Sequence, residues 1–418
     1  MNSLKIIFLV GILTVAFGSF AQPVESGIVF QEIPFQEVFL KSKELNKPIF
    51  MYFHFKGCGA CTKMEREVFS DGKVANFYNE NFLCFEVDTR EGVGIEINKI
   101  YNVQLQPTFL FLNSENHILH KLVGIFTVEE FLREGEAVFS PIGTLDYYKN
   151  KYAEGNRNPE FLFEFVYKLR DAGELDSVVV NEYLSTQNFK DLSLEKNVRF
   201  IFEFAVHGFD AFIDLESPAY EFMLNDIDRF SEYFERDQVI TRIFWGAYQT
   251  AYQVTLTKNE RRFFKALDVI KRFENHGDFY FKEIDGRLTG IIQGKFFSLT
   301  VQMEYYEKNN NLEQYYHFRD EYVKRIWNDW DLLNALAWNY YEQNKELEKA
   351  KKWAKRSIKL QSDYANNDTY AAILFKLGKT KRAKKFAKKA LNIGKTRGKD
   401  YSSTELLLIE INDRLKRK

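Results

Sequence analysis

The chain has 418 residues, with 58 Lys plus Arg against 59 Asp plus Glu and a formal net charge of −1. That length supports two or three domains with cores of their own, and the near-neutral balance excludes nucleic acid as a partner of the protein as a whole. Aromatic residues make up 17% of the chain, 41 of them Phe, which excludes a disordered polymer.

In chain order, Lys5 precedes thirteen mainly apolar residues, Ile6 to Gly18, and the small-residue stretch Ser19-Phe20-Ala21. This is the layout of a secretory leader, too short to cross a bilayer comfortably. Residues 1–21 are expected to be removed, leaving a mature chain that begins near Gln22 in an exported compartment. The periplasm is the first expectation and secretion the alternative. No cysteine follows the expected cut, so a lipid-anchored mature end is not expected.

Residues 22–140 alternate strand and helix patterns. Phe35–Asn46 reads as a helix opened by Pro34 and closed by Lys47-Pro48, followed by a buried strand over Ile49–Phe55. A helix is predicted over Cys58–Phe69, and Ser70-Asp71 starts a further short one. Phe82–Asp88 is predicted as strand and Glu91–Tyr101 as helix. Thr108–Leu112 and Ile118–Val123 read as an antiparallel pair, and Thr127 opens the last helix with capping-box spacing to Glu130. This order implies a central mixed sheet flanked by helices.

The apolar strand runs directly into Cys58-Gly59-Ala60-Cys61. A pair of cysteines two residues apart, the first at a helix start, suits dithiol exchange. The unpaired amides and dipole of the helix favour a thiolate at Cys58, while Cys61 lies one turn on, placed to resolve a mixed disulfide. Lys56 and Lys63 add positive charge nearby. Alternation places His54 on the side of Tyr52 and Lys56, where its imidazole would tune the sulfurs. Cys84, the third cysteine, reads as a buried small hydrophobe. Three cysteines do not make a disulfide scaffold, and no second pair or spaced histidines complete a metal site, so no metal is expected.

Gln106-Pro107-Thr108 stands about fifty residues beyond the pair, where a strand begins. At this point residues 30–138 resemble the thioredoxin superfamily. Lys47-Pro48, Cys61-Thr62-Lys63-Met64-Glu65 and Val87-Asp88 make the region similar to exported bacterial thioredoxin-like domains, including the C-terminal domain of periplasmic thiol:disulfide interchange transporters. The resemblance implies a cis Pro107 beside the disulfide, with Gly57, Gln106 and Pro107 contacting substrate. Two positions depart from the family. Gly57 replaces the usual Trp, which would leave the attacking sulfur more open, and Tyr52 stands about where cytosolic thioredoxins keep a buried acid. Gly59-Ala60 matches neither the commonest reducing nor the commonest oxidising dipeptide, so the direction of electron flow stays open.

Beyond Pro141 helical patterns dominate. Residues 141–330 read as irregular helix pairs, and 331–418 as repeats resembling the tetratricopeptide family. Ala350 matches Ala383, Ala354 matches Ala387 and Asn344 matches Gly378, at offsets of 33 and 34 residues. Trp327, Trp330, Trp338 and Trp353 read as core. Residues 345–399 hold 18 Lys plus Arg against 4 Asp plus Glu, and Lys381, Lys384, Lys385, Lys388 and Lys389 line one side of the last repeat helix. That side reads either as a solvated face or as a site for an acidic partner or anionic membrane. No second catalytic site is evident there.

The expected fold is therefore an α/β thioredoxin-like domain followed by a large all-α helical-repeat region. The expected function is thiol–disulfide exchange on client proteins, with no cofactor beyond the Cys58–Cys61 couple. Expected partners are clients bearing thiols or disulfides, an upstream thiol donor or acceptor, and a protein held by the repeats. The alternative is a non-catalytic interaction scaffold with a degenerate thioredoxin-like domain.

Overall fold

The computed structural model describes residues 27–140, 142–207, 210–282 and 288–417, so the expected leader lies outside the described residues. Contacts divide the chain into two compact units, one ending at Gln187 and the other beginning at Asn188.

In the first unit, β1 (Ile49–His54), β2 (Leu83–Asp88), β3 (Thr108–Leu112) and β4 (Ile118–Val123) form a single sheet in the order β2-β1-β3-β4. β1 pairs parallel with β2, and β3 runs antiparallel to both β1 and β4. The parallel pair needs a crossover, and it is this crossover that carries the cysteines. Five helices accompany the sheet: α1 (Phe35–Leu45), α2 (Gly59–Met64), α3 (Gly72–Asn81), α4 (Gly94–Tyr101) and α5 (Val128–Ala137). Ile49–Phe53 of β1 are all buried because both faces of the strand are covered. Phe50 and Tyr52 point into a cluster with Cys58, Cys61, Phe109 and Phe131. Ile49, Met51 and Phe53 point into the opposite cluster with Val38, Leu83 and Ile97. Each fully buried Phe of this kind contributes about 1.5–3 kcal/mol of transfer free energy.

The helix expected over 58–69 changes register partway. α2 ends at Met64, and Glu65–Phe69 continues as a π turn that buries Val68 and Phe69. The short helix expected after Ser70 is ten residues long, capped by Asp71 through the Lys73 and Val74 amides.

Three further helices belong to this unit: α6 (Leu145–Ala153), α7 (Pro159–Asp171) and α8 (Ser177–Ser185). α6 and α7 pack on β4 and so cover an otherwise open sheet edge. A buried polar network fastens them. The His120 ring, fully buried on β4, lies 2.9 Å from Glu134 Oε2 on α5, and its Nδ1 accepts the Leu145 amide of α6 at 3.1 Å. Lys168 of α7 donates to the same Glu134 oxygen at 2.5 Å. Nδ1 is thus the acceptor and Nε2 the donor, a neutral imidazole. Burial pushes the His120 imidazole below its usual range, against the pull of Glu134. Burial also opposes ionisation of Glu134, but the His120 hydrogen bond and the Lys168 ammonium outweigh it and hold the carboxyl at about 2.

The second unit is built mainly from helices. α9 (Phe189–Leu192), α10 (Glu195–Ala205), α11 (Pro218–Asn225), α12 (Ile227–Ser231), α13 (Arg236–Thr257) and α14 (Glu260–Phe273) precede an unexpected hairpin, β5 (Asp278–Lys282) and β6 (Leu288–Gln293). The hairpin is anchored by Phe279, which stacks on Phe244 at 3.8 Å. Then come α15 (Phe297–Lys308), α16 (Leu312–Arg325), α17 (Trp330–Glu342), α18 (Leu347–Leu360), α19 (Tyr364–Lys376), α20 (Thr380–Arg397) and α21 (Ser402–Lys416).

The repeat read from sequence is present as helix hairpins, α17 with α18 and α19 with α20. Ala350, Ala354, Ala383 and Ala387 are all fully buried at the crossings. Asn344 and Gly378 adopt the same left-handed conformation at the two turns, φ 54° and 74°. The tryptophans divide. Trp353 is buried and Trp330 half-buried, whereas Trp327 and Trp338 are exposed, Trp327 meeting the guanidinium edge of Arg356 on α18.

Candidate functional site

Cys58 caps α2. Its Sγ accepts the Cys61 amide at 3.2 Å, and its carbonyl accepts the Thr62 amide and hydroxyl at 3.0 and 3.1 Å. The two cysteines are joined by a disulfide, their Cα atoms 5.2 Å apart. The loop that delivers Cys58 to this position turns at Gly57, whose φ of 91° disfavours any residue with a Cβ. That backbone accounts for the missing Trp: a ring here would demand a different loop.

The peptide bond Gln106–Pro107 is cis, and the Gln106 carbonyl lies 3.9 Å from Cys58 Sγ. Pro107 also receives the Gly124 amide at 2.9 Å, which draws the β4–α5 loop alongside. Phe126 of that loop directs its amide at Met64 Sδ, 3.3 Å away. Two side chains on these loops, Leu105 and Ile125, are 58% and 46% exposed, although both are large and apolar. They adjoin Gln106 and Phe126 in the chain and were not singled out from sequence; their signal, an apolar residue just outside a strand, is shared by many core positions. Arg90 was missed likewise. Its guanidinium lies 3.4 Å from the ring centre of Phe55, whose carbonyl accepts the Cys58 amide.

The attacking sulfur is less open than the missing Trp suggested. Cys58 is 6% exposed, because in the disulfide its Sγ turns inward under the Gln106 carbonyl. Gly57 and Lys56 are exposed beside it, and Gln106 is half-buried. The His54 ring stacks on Tyr52 at 4.8 Å and faces Glu86 of β2 at 3.5 Å. Tyr52 itself donates to Glu65 Oε1 at 2.8 Å. Burial, then that hydrogen bond, holds its hydroxyl far above the usual phenol range. A carboxylate therefore does reach this face of the sheet, supplied by the π turn rather than by the strand.

Cys84 is buried on β2, and burial pushes its thiol up to about 12. Buried and held mostly as the thiol, it should resist alkylation in the folded, reduced protein. Iodoacetamide labelling read by mass spectrometry is expected to modify Cys84 only after denaturation; rapid labelling in the native state would refute its burial. Among the described residues, no group of three His, Cys, Asp or Glu is placed to hold a metal ion.

A helix-capping disulfide set against a cis-proline loop, on a mixed sheet of order 2-1-3-4, is the arrangement of the thioredoxin fold. Residues 35–139 match the family described as "Thioredoxin-like domain", and this segment is such a domain. A 73-residue stretch is 38% identical to spermatogenesis-associated protein 20 of Mus musculus, covering 18% of this chain and 9% of the mouse protein. The chain thus spans less than a tenth of the length of that curated relative. Among solved structures, a "putative disulphide-isomerase" of Bacteroides thetaiotaomicron is 31% identical over 28% of this chain and 98% of its own, with a TM-score of 0.26. A tetratricopeptide repeat protein of Parabacteroides merdae is 15% identical over 68% of this chain and 95% of its own, with a TM-score of 0.25.

Proposed function

We propose that this protein is an exported thiol–disulfide oxidoreductase acting on client proteins, with the helical region serving to hold a partner. The observation that carries this reading is the Cys58–Cys61 disulfide at the start of α2, facing Gln106 and the cis Pro107. In the reduced pair, the Cys58 thiolate attacks a client disulfide. A mixed disulfide forms and one client thiolate leaves, taking up a proton. Cys61, deprotonated, then attacks Cys58 Sγ; the second client thiolate departs and the Cys58–Cys61 disulfide closes. Two electrons pass to the client, and an external thiol donor must return them. Run backwards, the same steps oxidise a client dithiol.

Exposed Leu105 and Ile125 offer apolar contact to a client strand, and the Gln106 backbone offers hydrogen bonds. Lys56 and Arg90 supply positive charge at the rim.

The test is equilibration of the Cys58/Cys61 couple with glutathione buffers, together with insulin reduction. A potential near about −270 mV marks a reductase, and one nearer −120 mV an oxidant. A pair that neither equilibrates with glutathione nor reduces insulin would leave the domain a scaffold only.

A further inference from the structure

We propose that the outward lysines of α18 and α20 form an attachment surface for an anionic phospholipid bilayer. Residues 345–399 contain eighteen Lys plus Arg and only four carboxylates. All four are already engaged. Glu346 pairs with Arg319 and Lys349, and Glu348 with Lys351 and Lys379. Asp363 pairs with Arg397 and Lys399, and Asp368 accepts the Thr404 hydroxyl. No acid of this segment is left for the remaining cations.

Lys352 and Lys355 on α18, and Lys381, Lys385, Lys388 and Lys389 on α20, are exposed and have no ion pair among the described residues. Their placement follows from the repeat. The 33-residue offset that aligns buried Ala350 with Ala383, and Ala354 with Ala387, also aligns Lys352 with Lys385 and Lys355 with Lys388. Equivalent positions on stacked hairpins face the same side, so the two helices present one continuous field of positive charge. Lys381, Lys385 and Lys389 are moreover like-charged neighbours at i,i+4, a spacing that weakens a helix.

The composition of the field selects the partner. No large apolar side chain is exposed between Trp338 and Leu406. Protein partners are held by aromatic and apolar anchors, and recognition of nucleic-acid bases needs side chains that fork onto their edges or stack on their faces. Bare ammonium groups spread over two helices suit a dense, laterally mobile layer of phosphate headgroups. This inference is independent of the redox reading, and the Cys58→Ser chain should bind vesicles as the wild type does.

The full chain is to be sedimented with vesicles of phosphatidylglycerol and phosphatidylcholine in equal parts, and with phosphatidylcholine alone. The second set reports any contribution of the apolar N-terminal stretch. Binding is expected to require the anionic lipid and to be released by molar salt. Each lysine at such a surface is worth about fivefold in affinity, so K352E/K355E/K385E/K388E should weaken binding on the order of 100-fold or more. The circular dichroism of that variant should match the wild type, and the four-fold Lys→Gln chain, which removes charge without reversing it, should lose binding in part. Equal binding to both vesicle types overturns the proposal, as does undiminished binding by both variants. Heparin binding without vesicle binding overturns it in favour of a soluble polyanion.

Discussion

Cys58→Ser is expected to reduce disulfide exchange to the uncatalysed background, and Cys61→Ser to arrest it halfway. The asymmetry follows from the helix start. Only Cys58 caps α2 and faces the Gln106 carbonyl, while Cys61 sits inside the first turn and is more deeply buried. The Cys61 amide that now points at Cys58 Sγ is a ready donor to a thiolate there. With Ser at 61, the mixed disulfide has no resolving thiol and should accumulate as covalent adducts, visible on non-reducing gels and lost on adding dithiothreitol. Cys84 cannot stand in, because its thiol is buried on β2 and pushed up to about 12. Activity retained by Cys58→Ser, or a failure of Cys61→Ser to form any adduct with a disulfide-bearing client, would remove the assignment of roles.

The largest loss of stability outside the redox pair is expected from Glu134→Ala. The substitution removes the hydrogen-bond acceptor of both the buried His120 N–H and the Lys168 ammonium, leaving Asp171 as the carboxylate that still acts on them. Breaking one partner of a buried ionic network costs about 3–5 kcal/mol. For a unit of this size that lowers the midpoint of thermal unfolding by on the order of 10 °C.

The pH dependence has a definite sign. His120, held below its ordinary 6.5, contributes stability that is complete above that pH and fades as acid charges it in the unfolded chain. Glu134, depressed from 4.5 to about 2, contributes stability present above 4.5 and lost as the pH falls toward 2. Both act in the same direction, so wild-type stability should decline from pH 7 through 5 to 3. The Glu134→Ala chain should start lower and lose the lower part of that slope. Urea midpoints at those three pH values read both effects. A variant within 1 kcal/mol of wild type at pH 7 would show that the network does not fasten α6 and α7 to the sheet.

Much of the α/β half was legible because its signals are local. The run Ile49–Phe53 could only be a strand covered on both faces, and Cys58-Gly59-Ala60-Cys61 immediately after it placed the pair at a helix start. The proline fifty residues on suggested which loop would meet it. The helical repeat was visible for the same reason, as small residues recur at every crossing of α17 with α18 and α19 with α20. The hairpin β5–β6 was not, because eleven strand residues among long helical patterns give too short a period to stand out.

What sequence alone determined, then, was the order of elements, the dithiol at the head of its helix and the basic repeat, all written in neighbouring residues or a fixed period. Tertiary structure decided the rest. It brought Gly124 to Pro107, set the Gln106 carbonyl against Cys58 Sγ, joined Tyr52 to Glu65, and assembled His120, Glu134 and Lys168 into one buried network. Those groups lie 13 to 48 residues apart. Hydrogen bonds and burial across such separations depend on how the sheet register and helix packing close, and no local pattern records that.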